Sequence, residues 1–385
     1  AQSQFAKTFS TYAPAESSPE TGNAAETFAR RAGLESARLL KQLGKIAEAD
    51  TAYQAVLDRF PNQPGIDRLL SEWAILNANA GRFDRSDLIF QQLLRRNPNS
   101  PYADNARLSL AESSLESGKI NDARTGLTTL VQAKETEDAI RKRAMSQLIR
   151  LEITTGQWDA IARWTAEFSK RYPEDNFRRE ANFYRAEALL NQQNPKAAGE
   201  ILDEIYQQRD DTSLKESDWY PRLWILLGEV AIQLKQYDRA EALAREMNDI
   251  DSTKPYRYQM QEIIGRSRKN QARFADAIDA FESVTKDEFG EKTATAAKSQ
   301  FLIGETLLLQ KKYNEALEAY LKVYLLYNHP EWQAPALYQA GQCDEALEQW
   351  QKALTSYEDL RRDFPKSEFA TRAQVRINEI KPRVK

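Results

Sequence analysis

The sequence predicts an all-α protein, built as a solenoid of about nine helix hairpins with one further helix at its C-terminal end. A hydrophobic residue recurs at intervals of 37 to 42 residues, with an average of 38, and small residues recur at fixed distances from it. Gly and Pro number only 14 each in 385 residues, which is too few for a turn-dense all-β protein. Hairpins repeated at such a period bury their apolar faces by stacking on their neighbours.

The recurring hydrophobic residue opens the second helix of each predicted hairpin. It falls at Ile46, Phe83, Ile120, Trp158, Pro195, Tyr237, Phe274, Tyr313 and Trp350. The one interval of 42 residues contains the polar stretch 209–218. We expect an exposed loop there, and both a tolerated insertion and a hinge remain open.

Small residues mark the contact between the two helices of each hairpin. In most copies a small residue lies three positions after the opener, on the second helix. Another small residue lies twelve positions before that one, on the first helix. The clearest examples, taken as the structural repeat signature, are Ala49, Ala123, Ala198, Gly228, Ala240, Gly265, Ala277, Gly304, Ala316, Gly341 and Ala353. Small side chains on facing helices let the backbones approach closely, and a Tyr, Phe or Leu seven residues after the opener fills the space beyond. The fourth copy has the large Ile149 and Ile161, so we expect that hairpin to be splayed or locally shifted.

Turn and cap residues agree with this division. Gly44, Gly81, Gly118 and Gly156 each lie two residues before an opener and predict the tight turn inside the hairpin. The stretch 367–380 predicts a final amphipathic helix, whose polar outer face suits the capping end of a solenoid.

Composition and motifs predict no catalytic site, no cofactor and no metal site. The chain has one histidine, His329, and one cysteine, Cys343, and it carries no phosphate-binding loop, dinucleotide fingerprint or zinc-protease motif. The net charge of −3 favours no nucleic-acid partner. A transmembrane helix needs about 20 consecutive apolar residues, and no apolar run in the sequence reaches that length.

The stretch FLIGETLLLQKKYNEALEAYLKV, with Gly304, Tyr313, Ala316 and Tyr320 in their places, resembles the tetratricopeptide repeat family. The resemblance runs from about Gly33 to the C-terminus. It implies a right-handed superhelical solenoid whose first helices line a concave groove that binds a protein or peptide. Two links between hairpins, at 98–103 and 365–370, resemble those of bacterial envelope members, of the outer-membrane-assembly and Tol-Pal-associated types.

The N-terminal residues differ from the repeats. Residues 1–23 are rich in Ser, Thr, Pro and Ala and predict a tail that is flexible or docked on a partner, while residues 24–385 form the repeat domain. A start at Ala1 fits a processed, exported protein of the periplasm or cell surface, and equally an artificial boundary. A cytoplasmic location is the alternative.

The family geometry implies a set of binding residues on the groove face. These candidates are Arg38, Lys41, Glu112, Arg150, Phe183, Glu187, Glu229, Glu262, Arg266, Phe301, Glu305 and Tyr338. The sequence thus predicts a non-enzymatic scaffold or adaptor of the bacterial envelope. The alternative is a self-assembling subunit, in a filament or ring, whose N-terminal tail docks into another copy. Nothing in the sequence identifies the partner or the oligomeric state.

Overall fold

The computed structural model describes residues 1–11, 19–62 and 64–384, and for residues 19–25 it describes the backbone only. The described residues form helices and connecting turns without any strand, which confirms the all-α prediction. The chain divides into two compact units, Ala1–Asp175 and Asn176–Lys385. The single repeat domain expected over residues 24–385 stays a prediction.

The described part of unit 1 contains nine helices, of which the last eight form four hairpins. They are α1 (Gln2–Thr11), α2 (Pro19–Gln42), α3 (Ile46–Arg59), α4 (Ile66–Asn79), α5 (Phe83–Arg96), α6 (Ala103–Glu116), α7 (Ile120–Gln132), α8 (Asp138–Thr155) and α9 (Trp158–Arg171).

Unit 2 contains five hairpins, a short helix in the 42-residue interval and the final helix. Its helices are α10 (Phe177–Asn191), α11 (Pro195–Tyr206), α12 (Thr212–Lys215), α13 (Leu223–Gln233), α14 (Tyr237–Asn248), α15 (Arg257–Asn270), α16 (Phe274–Thr285), α17 (Ala294–Leu309), α18 (Tyr313–Leu326), α19 (Pro330–Ala346), α20 (Trp350–Asp363) and α21 (Glu368–Ile380). Each predicted opener, from Ile46 to Trp350, is the first residue of a second helix, so the nine hairpins are confirmed.

The turn inside each hairpin places one residue in the left-handed region, two positions before the opener. In unit 1 this residue is Gly44, Gly81, Gly118 or Gly156, at φ between 66° and 73°. In unit 2 the same position has a side chain, at φ between 57° and 61°, in Gln193, Lys235, Ala272, Lys311 and Glu348. The same turn therefore forms with and without glycine, at a strain cost in unit 2.

Small residues of the first helices lie directly against a ring of the second helix. A Cβ atom on Gly265 would lie 2.3 Å from Phe281, and one on Gly304 would lie 2.7 Å from Tyr320. The aromatic ring of the second helix therefore packs directly on the small residue that lies sixteen positions earlier, on the first helix. All the alanines of the repeat signature have 0% exposure, and Gly228, Gly265, Gly304 and Gly341 are buried as well.

The fourth hairpin reverses the sizes at this contact. Ile149 stands where other copies have a small residue, Thr165 stands where most of them have a ring or leucine, and both are fully buried. Oγ1 of Thr165 donates to the backbone oxygen of Ile161 at 2.6 Å, which satisfies the hydroxyl inside the core. The expectation that this hairpin is splayed or locally shifted stays a prediction.

Helix α1 packs on the first hairpin, in the segment expected to be a flexible or partner-docked tail. The Phe9 ring meets Phe60 edge to face at 6.3 Å and lies against Gly33. Nη1 of Arg59 donates to the backbone oxygen of Phe9 at 2.6 Å, and its guanidinium lies 5.2 Å from the ring centre. Residues 12–18 of the expected tail lie outside the described residues.

The polar stretch 209–218 is anchored at several points. Oδ1 of Asp211 accepts from the backbone N of Ser213 at 2.9 Å and starts α12. Leu214 is 2% exposed, and Trp219, which follows the stretch, stacks on Phe183 with ring centres 4.8 Å apart. The stretch is thus largely exposed but carries one core residue, and the expectation of a hinge stays a prediction.

Helix α21 closes unit 2 as expected. Ile377 and Ile380 are buried against the neighbouring core, while the side chain of Arg372 is 55% exposed. Among the described residues, no helix combines the length and the apolar composition that crossing a membrane requires.

Candidate binding surface on the first helices

The first helices of unit 2 follow one another in space as well as in sequence. Helix α13 contacts α10 and α15, and α17 contacts α15 and α19. The solvent-facing sides of α10, α13, α15, α17 and α19 therefore form one continuous face, which we call the first-helix surface. In unit 1, α6 and α8 are neighbours in the same way.

Most of the predicted binding residues that carry a charge form ion pairs with a residue of a neighbouring repeat. In unit 1, Nε of Arg38 lies 2.8 Å from Glu72, and Nη2 of Arg143 lies 2.7 Å from Glu112. In unit 2 the pairs are Glu187 with Arg222, Glu229 with Arg266, Glu262 with Lys298, and Lys269 with Glu305. The predicted carboxylates Glu112, Glu187, Glu229, Glu262 and Glu305 are therefore electrically balanced, because each has a cation from a neighbouring repeat.

The Arg38 cluster shows how this pairing sets ionisation. Bonds to Glu72 and Glu35 outweigh burial and hold the pKa of the Arg38 guanidinium above its usual range. Burial alone would raise the pKa of the Glu72 carboxyl, but its bonds to Arg38 and Arg68 lower it. Burial beside this carboxylate raises the pKa of Tyr53 to about 12. Arg38, Tyr53 and Glu72 therefore keep their ordinary charge states at neutral pH.

Glu262 is the most buried of the predicted charged residues, at 3% exposure. Its Oε1 lies 2.9 Å from Nε of Arg266 and 2.8 Å from Nζ of Lys298. Burial would lower the pKa of Arg266, but the carboxylates of Glu262 and Glu229 outweigh it and keep the pKa raised. Glu262 thus belongs to a buried ionic cluster, and its role in binding a partner stays a prediction.

Two predicted aromatic contacts belong to the core. Phe183 is fully buried, and Phe301 is 7% exposed and packs on Tyr320 and Trp332. The structure corrects their placement, because the stacking of neighbouring hairpins covers both rings. Tyr338 is half-buried between Tyr357 and Phe369.

The remaining predicted residues are accessible. Lys41 is exposed near the end of α2, Arg150 is exposed on α8, and Glu305 is half-buried on α17. Sequence reasoning missed the pairing partners Glu72, Arg143, Arg222 and Lys298. The available signal was a charge of opposite sign 31 to 37 residues away, which is about one repeat.

The fold and this surface define a protein of the helix-hairpin repeat class. A tetratricopeptide repeat-like domain model matches residues 73–162. Tetratricopeptide repeat models match residues 31–62, 221–253, 264–331 and 335–367. Together these stretches cover more than half of the chain, and they place it in the tetratricopeptide repeat family.

Solved structures of similar fold have low sequence identity to this chain. A tetratricopeptide repeat protein from Parabacteroides merdae is 18% identical over 70% of this chain and 98% of its own, with a TM-score of 0.46. Pseudomonas aeruginosa pilF is 17% identical over 61% and 97%, with a TM-score of 0.42. A chain of the APC/C hetero-tetramer Cut9-Hcn1 is 13% identical over 91% and 76%, with a TM-score of 0.45. These likenesses support no inference about function, and no curated protein matches the chain.

Proposed function

We propose that the chain is a non-enzymatic scaffold that holds a protein partner along the first-helix surface. Tetratricopeptide repeat domains generally mediate protein–protein interaction. The supporting observation is that α10, α13, α15, α17 and α19 lie side by side, so that five repeats present one uninterrupted surface. An extended partner can contact several repeats at once, and each contact adds to the affinity.

The electrostatics of this surface suit a protein partner. The pairs Lys269–Glu305 and Glu229–Arg266 are half-buried, so that charges of both signs lie at the edge of the surface. Half-buried tyrosines, including Tyr184 and Tyr338, add amphipathic rings of the kind enriched at protein interfaces. Mixed charge and aromatic rings favour specific recognition over non-specific adhesion.

Site-specific photo-cross-linking tests this proposal. Gln342 on α19 and Gln351 on α20 are both exposed glutamines of the same hairpin, and only Gln342 belongs to the first-helix surface. A photoreactive residue at Gln342 should capture a discrete partner in cells of the source organism, whereas the same residue at Gln351 should not. Equal capture at Gln342 and Gln351, or no capture at either position, would refute the proposal.

We also propose that the scaffold works in the bacterial cell envelope. The support is that two links between hairpins, at 98–103 and 365–370, resemble those of bacterial envelope members of the family. In both, the serine hydroxyl accepts from the backbone N two residues later, Ser100 from Tyr102 and Ser367 from Phe369, each at 3.2 Å. Detection of the native protein in the cytoplasmic fraction of source cells, and not in the periplasmic or membrane fraction, would contradict this location.

The packing of α1 on its own first hairpin supports the adaptor over the self-assembling subunit. A tail that docks into another copy would have to leave Gly33, Arg59 and Phe60 of its own chain. Sedimentation velocity of the full chain and of a chain lacking residues 1–23 distinguishes the two. Large assemblies formed only by the full chain would favour assembly.

A further inference from the structure

A second candidate site lies in unit 1, away from the first-helix surface. A cleft of about 490 Å³ opens between the end of α7, the following loop, the start of α8 and one side of α9. Its basic lining residues are Lys134, Arg141, Arg163 and Arg171, against the single carboxylate of Glu167. A local excess of three positive charges is notable in a chain whose net charge is −3.

The spacing along α9 explains part of this excess. Arg163, Glu167 and Arg171 are four residues apart, so they lie on one side of the helix and all reach the cleft. Within the described ranges 1–11, 19–62 and 64–384, no carboxylate forms an ion pair with Arg163, Arg141 or Lys134. The lining of the cleft therefore carries more positive than negative side chains.

Two of the arginines are held in place before any ligand arrives. The Arg163 guanidinium lies 4.5 Å from the centre of the Trp164 ring, and Trp164 is 4% exposed. Stacking on a buried ring fixes the plane of the guanidinium and leaves its N–H edges free for a carboxylate. Nε of Arg171 lies 3.3 Å from Oδ1 of Asp138, whose side chain is 69% exposed and screened by water.

Arg141 forms the inner wall of the cleft. It is 5% exposed, and it donates to the backbone oxygens of Val131, Lys134 and Thr136 at 2.8 to 3.1 Å. Its Nε is buried and has no hydrogen-bond partner among the residues that the structure describes. These bonds cap the carbonyl end of α7. Because the acceptors are neutral carbonyl groups, they do not neutralise the positive charge of Arg141.

We infer that this cleft binds an acidic segment of a protein partner through Arg163, Arg171 and Lys134. The inference rests on the proposed scaffold function and names the chemistry of one partner. Aspartate or glutamate side chains offer paired oxygens to the stacked guanidinium, and charge-assisted bonds of this kind are the strong ones. The paired first-helix surface offers no comparable excess of one charge.

Fluorescence anisotropy with a labelled deca-glutamate peptide tests the inference on the full chain. The wild-type protein should bind the peptide, should not bind deca-glutamine, and should lose affinity as potassium chloride is raised. Arg163→Glu and Lys134→Glu should each weaken binding by about tenfold or more, because each reverses a charge in the cleft. Lys134 lies in the loop, so its variant also tests the site if Arg163→Glu fails to fold.

Lys170→Glu is the matched control. Lys170 is exposed on α9 and does not line the cleft, yet its substitution changes the net charge by the same amount. It should bind the peptide as the wild type does. Equal weakening by Lys170→Glu, or no binding by the wild type, would overturn the inference.

Competition with inorganic phosphate tests whether the cleft is a phosphate site instead. Displacement of the peptide by phosphate, beyond the effect of chloride at the same ionic strength, would identify a phosphate site and overturn the acidic-segment assignment. Failure here is distinguishable from failure of the scaffold proposal, because capture at Gln342 takes place in unit 2. If Gln342 still captures a partner but the protein does not bind the peptide, the acidic-segment inference fails and the scaffold proposal stands.

Discussion

Gly341 lies directly beneath the ring of Tyr357, since a Cβ atom on this glycine would sit 2.5 Å from Cε1 of the tyrosine. Gly341→Ala should therefore lower the free energy of unfolding by about 1–3 kcal/mol, because the overpacking outweighs the higher helix propensity of alanine. Chemical denaturation measures this change. Combining it with Tyr357→Leu should give less destabilisation than the sum of the two single variants, and an additive result would contradict the direct contact.

The hairpin turns predict opposite effects in the two units. Ala272→Gly in unit 2 should stabilise the protein by about 1 kcal/mol, since Ala272 has φ of 60° and glycine adopts this region without strain. Gly118→Ala in unit 1 should destabilise by a similar amount, about 1 kcal/mol, through backbone strain alone. A Cβ atom on Gly118 would meet nothing within 4 Å, so crowding does not contribute. Thermal melts showing the same sign for both variants would refute the explanation.

The ionic cluster around Glu262 predicts a stability loss on removal of its arginine. Arg266→Met leaves the buried carboxylate with Lys298 as its only cation, and should cost about 1.5–3 kcal/mol. The matched control is Arg362→Met, because Arg362 is 64% exposed in its pairs with Asp359 and Asp363. That variant should change the free energy of unfolding much less than Arg266→Met does, because water screens exposed pairs. A comparable loss in both variants would show that burial does not set the strength of these pairs.

The buried Asp344 predicts a pH dependence. Burial raises the pKa of its carboxyl above the ordinary 3.8, since Asp344 is 2% exposed and accepts only a long bond from Ser356. The folded state therefore binds this proton more tightly than the unfolded state, and the wild type loses stability as the pH rises through the raised pKa. Asp344→Asn should raise Tm at pH 7, and the gain should shrink as the pH falls towards the ordinary carboxyl range.

Asp363 provides the opposite case. Bonds from Arg362 and Tyr324 lower the pKa of its carboxyl, so its stabilising effect is present above the ordinary value and is lost as the pH falls through the lowered one. Asp363→Asn should lower or preserve Tm at pH 7 and should never raise it. Melting curves in which both variants shift in the same direction would contradict the assignment.

The two phenylalanines of α1 predict which side of this helix is docked. Phe9 packs on Phe60 and Gly33, whereas Phe5 is 36% exposed. Phe9→Ala should release α1, and hydrogen exchange of the amides in residues 2–11 should become much faster. Phe5→Ala should leave their exchange close to that of the wild type. Equal acceleration in both variants would show that α1 is held by something other than the Phe9 contact.

The hairpin boundaries were accessible from the sequence because they depend on local features. An opener such as Tyr313, the turn residue two positions before it and the alanine three positions after it all lie within one turn of the helix start. Their recurrence through nine copies reinforces a signal that one copy would carry weakly. The departure of the fourth copy, with the large Ile149 and Ile161, was also visible, but its outcome depended on packing.

The sequence by itself determined the repeat, the position of every hairpin and the residues of the close helix contacts, since each is set by spacing along one helix pair. Only the tertiary structure decided that Glu262 is buried between two cations, that Phe183 and Phe301 lie in the core, and that α1 docks through Phe9. It also decided that basic residues of α8, α9 and a loop converge on one cleft. These contacts join side chains many residues apart, and their energies depend on burial and distance, which spacing along the chain does not specify.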